Sequence, residues 1–192
     1  VRKRFGSSLA VGVAVSMAML LGLLRVRADL AEAVMLPLFW LKVAFAASMA
    51  CAGVSIAARL ARPGARPGAG PAAAGLAVSL VWIVALAELA LAEPSRRVPM
   101  MLGHTWVACP WLIAMLSAPL LATNLWAMRG LAPTRLRAAG FACGMSAGAL
   151  AALIYCLHCP EMAPPFVAIW YLLGILVPGA IGALIGPRLL RW

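Results

Sequence analysis

Most of the soft, nucleophilic chemistry of this chain sits in two short stretches. His104 and Cys109 occupy one, and Cys156, His158 and Cys159 the other. A thiolate is both a nucleophile and a metal ligand, so such a set can act in several ways. Cys109 can close a disulfide with a cysteine of the later stretch. Cys and His together also suit soft or borderline cations, which makes Cys109, His158 and Cys159 a candidate site for zinc or copper(I), with no other cofactor required. Cys156-Leu-His-Cys159 also reads as a C-x-x-C redox motif, the basis of an alternative function as a membrane thiol-disulfide oxidoreductase. A quinone-linked oxidase usually needs a second cysteine pair on the same side, and Cys109 alone does not supply one. Three unrelated thiols are the plain alternative. Cys51 and Cys143 read as packing residues, since free cysteine behaves as a small hydrophobe.

The elements that must position these groups follow from composition. Of 192 residues, 65% are hydrophobic and 11% charged, with a mean hydropathy of +1.01. That is too little charge to coat a water-soluble globule, so the apolar surface must face lipid. Six apolar runs, roughly 9–24, 37–58, 72–91, 102–126, 138–157 and 166–185, approach the ~20 residues that a spanning helix requires. The expected fold is all-α, a polytopic membrane protein whose residues 1–192 form one six-helix domain. Arg2, Lys3 and Arg4 ahead of the first run resemble the start of a signal peptide. No clear small-x-small cleavage pattern follows, and the run is read as a retained span. Between the second and third runs, Arg59 to Pro71 alternates Pro and Gly, which ends any helix.

Charge orients the bundle. The net charge is +11, but the basic residues are dealt out in small groups between apolar runs rather than gathered on one water-exposed face, which argues against a nucleic-acid partner. Six spans put the N-terminus, the loops at 59–71 and 129–137 and the C-terminus on one side. That side holds Arg2, Lys3, Arg4, Arg59, Arg62, Arg66, Arg129, Arg135, Arg137, Arg188 and Arg191, 11 of the 16 Lys and Arg, and none of the five acids. Short Arg-rich loops stay in the cytoplasm, so both termini are expected inside and the outer thiols face the oxidising side.

Two charges fall within spans. Lys42 and Glu88 each lie about five residues from the outer ends of neighbouring antiparallel spans, ~8 Å deep at 1.5 Å per residue. Charges at that depth are costly unless paired, and an intramembrane ion pair is the expectation. Gly140, Gly144 and Gly148 form a small-xxx-small stripe that lets two helices approach closely, read as a contact inside the bundle. Few polar residues are placed to line a transport path.

Several strings together resemble the NrsF family of bacterial inner-membrane anti-sigma factors, negative regulators of sigma-F-type extracytoplasmic-function (ECF) sigma factors. They are Phe39-Trp40-Leu41-Lys42, Trp106-x-x-Cys109, Leu157-His158-Cys159-Pro160-Glu161, Phe166 through Trp170-Tyr171 to Gly174, and Gly186-Pro187-Arg188-Leu189-Leu190-Arg191-Trp192. The resemblance covers nearly the whole chain, and Leu-His-Cys-Pro-Glu is its most specific part. It implies a non-enzymatic, multi-pass inner-membrane protein that holds an ECF sigma factor at the cytoplasmic face. Release is expected when outer cysteines sense an oxidant or a toxic metal. The family's sensing pair maps onto Cys109 and Cys159, with Cys156 an extra. Arg59, Arg62, Arg66, Arg129, Arg135 and Arg137 are the expected sigma-facing residues of the inner loops. Family members carry a polar cytoplasmic segment before the first span, where this chain has Val1 to Ser8; either the chain is shortened or the basic inner loops do more of the holding.

Overall fold

The computed structural model describes residues 2–191, with side chains from Phe5 onward. The side chains of Arg2, Lys3 and Arg4, and Trp192, lie outside the described residues. Among the described residues all regular structure is helical. In chain order the helices are α1 (Arg2–Met19, continued by a π turn over Leu20–Leu24), α2 (Leu30–Ala33), α3 (Pro37–Leu60), α4 (Gly70–Leu91), α5 (Pro94–Leu102), α6 (Ala108–Arg129), α7 (Leu136–Tyr155) and α8, which begins at Pro164, passes through a π turn at Val167–Tyr171 and ends at Leu189. Six of these, α1, α3, α4, α6, α7 and α8, are long and apolar enough to cross a membrane.

The expected fourth span, 102–126, is displaced. Leu102, its first expected residue, belongs instead with Met100 and Met101 to α5, a separate helix that opens on Pro94 and has no buried residue. Gly103 adopts φ +56, where a side chain is strained. It breaks the chain before α6 starts at Ala108. An apolar triplet next to an apolar span looks like its beginning; the glycine conformation sets the real boundary.

α7 is the axis of the bundle, because its small residues let three helices come close. A Cβ on Gly140 would collide with the backbone of Gly182, and one on Gly144 with the carbonyl of Pro178. The glycine stripe is therefore the seat of α8, packed within the bundle. On another face Gly53 of α3 lies against the backbone of Ser146. From α6, Asn124 Nδ2 donates to Ser146 Oγ at 3.1 Å. α1 packs on α6, where Gly12 faces Leu120 and Thr123. Ser8 and Ser16 hydroxyls donate to the carbonyls of Thr123 and Leu116 at 2.9 and 2.8 Å.

Both ends of the bundle are knitted across connections. On the basic end, Gly64 N donates to Thr134 Oγ1 at 3.2 Å, joining the 61–69 and 130–135 loops. All six loop arginines, Arg59, Arg62, Arg66, Arg129, Arg135 and Arg137, are exposed at this end. At the opposite end, Trp170 Nε1 donates to the carbonyl of Met101 at 2.8 Å and ties α5 to α8.

Candidate functional site

The site at the non-basic end is built around the turn after α7. Pro160 and the absence of a continuing helix leave Cys159-Pro160-Glu161 as loop. Such a segment exposes backbone carbonyls that need partners. Two cations from separate elements supply them. Lys42 Nζ donates to the Cys159 carbonyl at 3.0 Å and the Glu161 carbonyl at 2.9 Å. Arg27 Nη1 donates to the same Cys159 carbonyl at 3.1 Å. The Arg27 guanidinium is itself held by Asp29, through bonds of 2.7 and 2.6 Å. That pairing raises Arg27 and lowers the exposed Asp29 carboxyl to about 2, with the Arg27 hydrogen bond as the main cause.

Lys42 is fully buried, with its ammonium 5.7 Å from the centre of the Phe39 ring and 5.8 Å from that of Tyr171. Aromatic faces and carbonyl oxygens replace the water it has lost. The expected Lys42–Glu88 ion pair is therefore absent. Glu88, half-buried on α4, forms no salt bridge, and among the described residues the salt bridge is Arg27–Asp29. Depth and antiparallel neighbours make such a pair possible, but the loop carbonyls meet the ammonium first.

Under this clamp sit the sulfurs. Cys109, in the first turn of α6, and Cys159 are both fully buried and both free thiols. Hydrogen bonding from Cys109, then the Lys42 charge, holds Cys159 below the ordinary thiol range, against the opposing cost of burial. Cys156 is also buried, but its Sγ donates back to the Ala152 carbonyl at 3.3 Å. Burial pushes its thiol up to about 11, with Lys42 opposing. The three cysteines thus differ: Cys109 and Cys159 shift each other's titration, while Cys156 turns toward its own helix.

Two residues to which the sequence reading gave no role complete the site. Tyr155 and Tyr171, the chain's two tyrosines, have ring centres 6.0 Å apart. The Tyr171 hydroxyl is buried beside the sulfurs of Cys156 and Cys159 without a well-formed hydrogen bond. A lone tyrosine near the outer end of each of two apolar runs was the available signal.

The metal triad of Cys109, His158 and Cys159 is not assembled. His158 Nδ1 lies 2.9 Å from the Arg25 carbonyl, and its ring packs on Tyr155 at 5.6 Å. Among the described residues no three His, Cys, Asp or Glu side chains are grouped to share a metal. The turn after α7 points the imidazole to the first outer connection rather than to the sulfurs. His104 contributes its backbone instead: its N–H donates to Glu161 Oε1 at 2.7 Å. Of the inner-half cysteines, Cys143 is packed in α7, whereas Cys51 is exposed on α3.

Two buried cysteines at one end, one in α6 and one in the loop after α7, with exposed arginines at the other end, are the arrangement to set beside known proteins. Residues 1–192 match the family described as negative regulator of sigma F. The chain belongs to the NrsF family. It is 48% identical over 190 residues to a probable anti-sigma-F factor from Azospira oryzae, covering 99% of this chain and 89% of that protein. It is 36% identical over 192 residues to an anti-sigma-F factor from Caulobacter vibrioides, with the same 99% and 89% shares. No solved structure matches. The NrsF membership covers both ends of the bundle, thiol site and arginine loops alike.

Proposed function

We propose that this chain is a membrane-embedded anti-sigma factor. It holds an ECF-type sigma factor against the arginines of its inner loops and releases it when the Cys109–Cys159 pair is oxidised or bridged by a thiophilic metal. The bundle sits in the inner membrane with both termini in the cytoplasm, as the one-sided distribution of arginine favours. The names of its relatives, anti-sigma-F factors, support the partner class. The observation that carries the sensing step is the burial of Cys109 and Cys159 as free thiols at the same end of the bundle, where each shifts the titration of the other. Oxidation would take two electrons and two protons from the pair and leave one S–S bond of about 2.05 Å. Closing to that length draws the Cys159 loop toward α6, against the hold of Lys42 and Arg27 on its carbonyl. α6 and α7 are joined at their other ends by the 130–135 loop. A shift of one helix against the other therefore reaches Arg129, Arg135 and Arg137 through rigid elements.

The test is recovery of the co-expressed sigma factor with the membrane-purified protein, before and after treatment with peroxide or a thiophilic cation. The parent is expected to lose the sigma factor on treatment. Cys109→Ser and Cys159→Ser are expected to keep it, and Cys51→Ser to behave as the parent. Release from both outer variants at the parental dose would end the sensing reading while leaving the anti-sigma reading in place.

A further inference from the structure

A wide apolar crevice at the basic end lies between α4 and α8, with α7 as its floor. α4 packs on α3, and on α8 at Pro164–Phe166 and Val167–Tyr171. Beyond that point the two helices part, leaving a wedge of about 720 Å³ whose lining includes Val78, Phe141 and Leu176. Arg135 and Arg137 line its mouth, and both are exposed.

We propose that this crevice binds one anionic phospholipid of the leaflet on the basic side. Three observations select that occupant. The crevice runs from Leu60 to Met49 along α3, eleven residues or roughly 16 Å, which matches the ~15 Å depth of one leaflet. Its walls are apolar along that depth and its charge is confined to the mouth, the amphiphile's own distribution. The charge is two guanidiniums with no acid among the lining residues, which suits the phosphate of an acidic headgroup. The inference rests on the membrane placement in the anti-sigma reading but not on the sigma factor, although a bound headgroup would engage two of the arginines assigned to the sigma factor.

The probe is an equimolar mixture of phosphatidylglycerol and phosphatidylethanolamine, in which the full chain is reconstituted. After repurification, retained lipid is counted by native mass spectrometry. The parent is expected to retain phosphatidylglycerol over phosphatidylethanolamine by roughly ten- to thirtyfold, the scale that two basic residues give at a membrane surface. Arg135→Gln/Arg137→Gln is expected to bring the ratio to that of the mixture. Gly75→Leu tests the crevice itself: Gly75 lines it, and a Cβ there meets no atom within 4 Å. The added side chain should lower retention of both lipids without disturbing the bundle, which thermal unfolding checks. Equal retention of the two lipids by the parent would mean adventitious annular lipid and overturn the proposal. An unchanged ratio in the arginine variant, or full retention in Gly75→Leu, would also overturn it.

Discussion

Replacing Lys42 with Met should unseat the loop that carries Cys159. The ammonium makes two charge-assisted hydrogen bonds, to the carbonyls of Cys159 and Glu161. Each such bond contributes about 1.5–3 kcal/mol. The Cys159 carbonyl keeps its bond from Arg27, so part of the first contribution survives. The Glu161 carbonyl loses its donor and must find water, which it can do only if the loop lifts. Methionine also relieves the burial of a charge, which works in the opposite direction. The balance is a loss of about 3 kcal/mol in loop seating, or about 150-fold in the open population. When opening is fast relative to labelling, the alkylation rate of a buried thiol follows that population. The assay is maleimide labelling of Cys159 in a Cys156→Ser background, resolved by peptide mass. Lys42→Met should label about a hundredfold faster than the parent, and no less than about tenfold, the worth of a single such bond. Lys42→Arg retains the donors and the charge and should stay within about tenfold. A rate for Lys42→Met within about threefold of the parent would refute the reasoning, because the clamp would then contribute little to holding the loop.

Other expectations follow from the same geometry. Lys42→Met and Glu88→Gln should be additive in unfolding free energy to within about 0.5 kcal/mol, since the two side chains are not paired; a larger coupling in a double-mutant cycle would restore the ion pair. Gly144→Val places a branched side chain against the Pro178 carbonyl, and should cost about 3 kcal/mol or prevent assembly of α7 with α8, read by thermal unfolding in detergent. The Arg27–Asp29 contact should respond to acid with a defined sign. Asp29 is lowered from 3.8 to about 2, so its contribution is complete above the higher value and lost as pH falls through the lower. Hydrogen exchange at the Arg27 amide, corrected for intrinsic rate, should be flat above pH ~4 and quicken toward pH ~2, and Asp29→Asn should abolish the change. Reporter fusions at residues 66 and 161 should report opposite sides of the membrane, and the same side for both would end the six-span topology.

Much of the architecture was legible from the chain itself. Six apolar runs are a one-dimensional property, and six helices long and apolar enough to cross a membrane follow them, because a helix satisfies its own backbone whatever surrounds it. The glycine stripe of α7 was legible too, since small residues every four positions make one groove on a helix. The family resemblance, carried by local strings, singled out Cys109 and Cys159. What tertiary structure alone decided is how those thiols are held. Lys42 chose the carbonyls of a loop 117 residues away over a carboxylate on the neighbouring helix, and no spacing rule encodes that preference. The start of α6 depended on one glycine with positive φ, which is invisible to hydropathy. Tyr155, Tyr171 and Arg27 join the site because three outer connections converge over the end of α7. Convergence of segments distant in sequence is a property of packing, where the need to satisfy each buried carbonyl and charge selects partners that the linear order does not bring together.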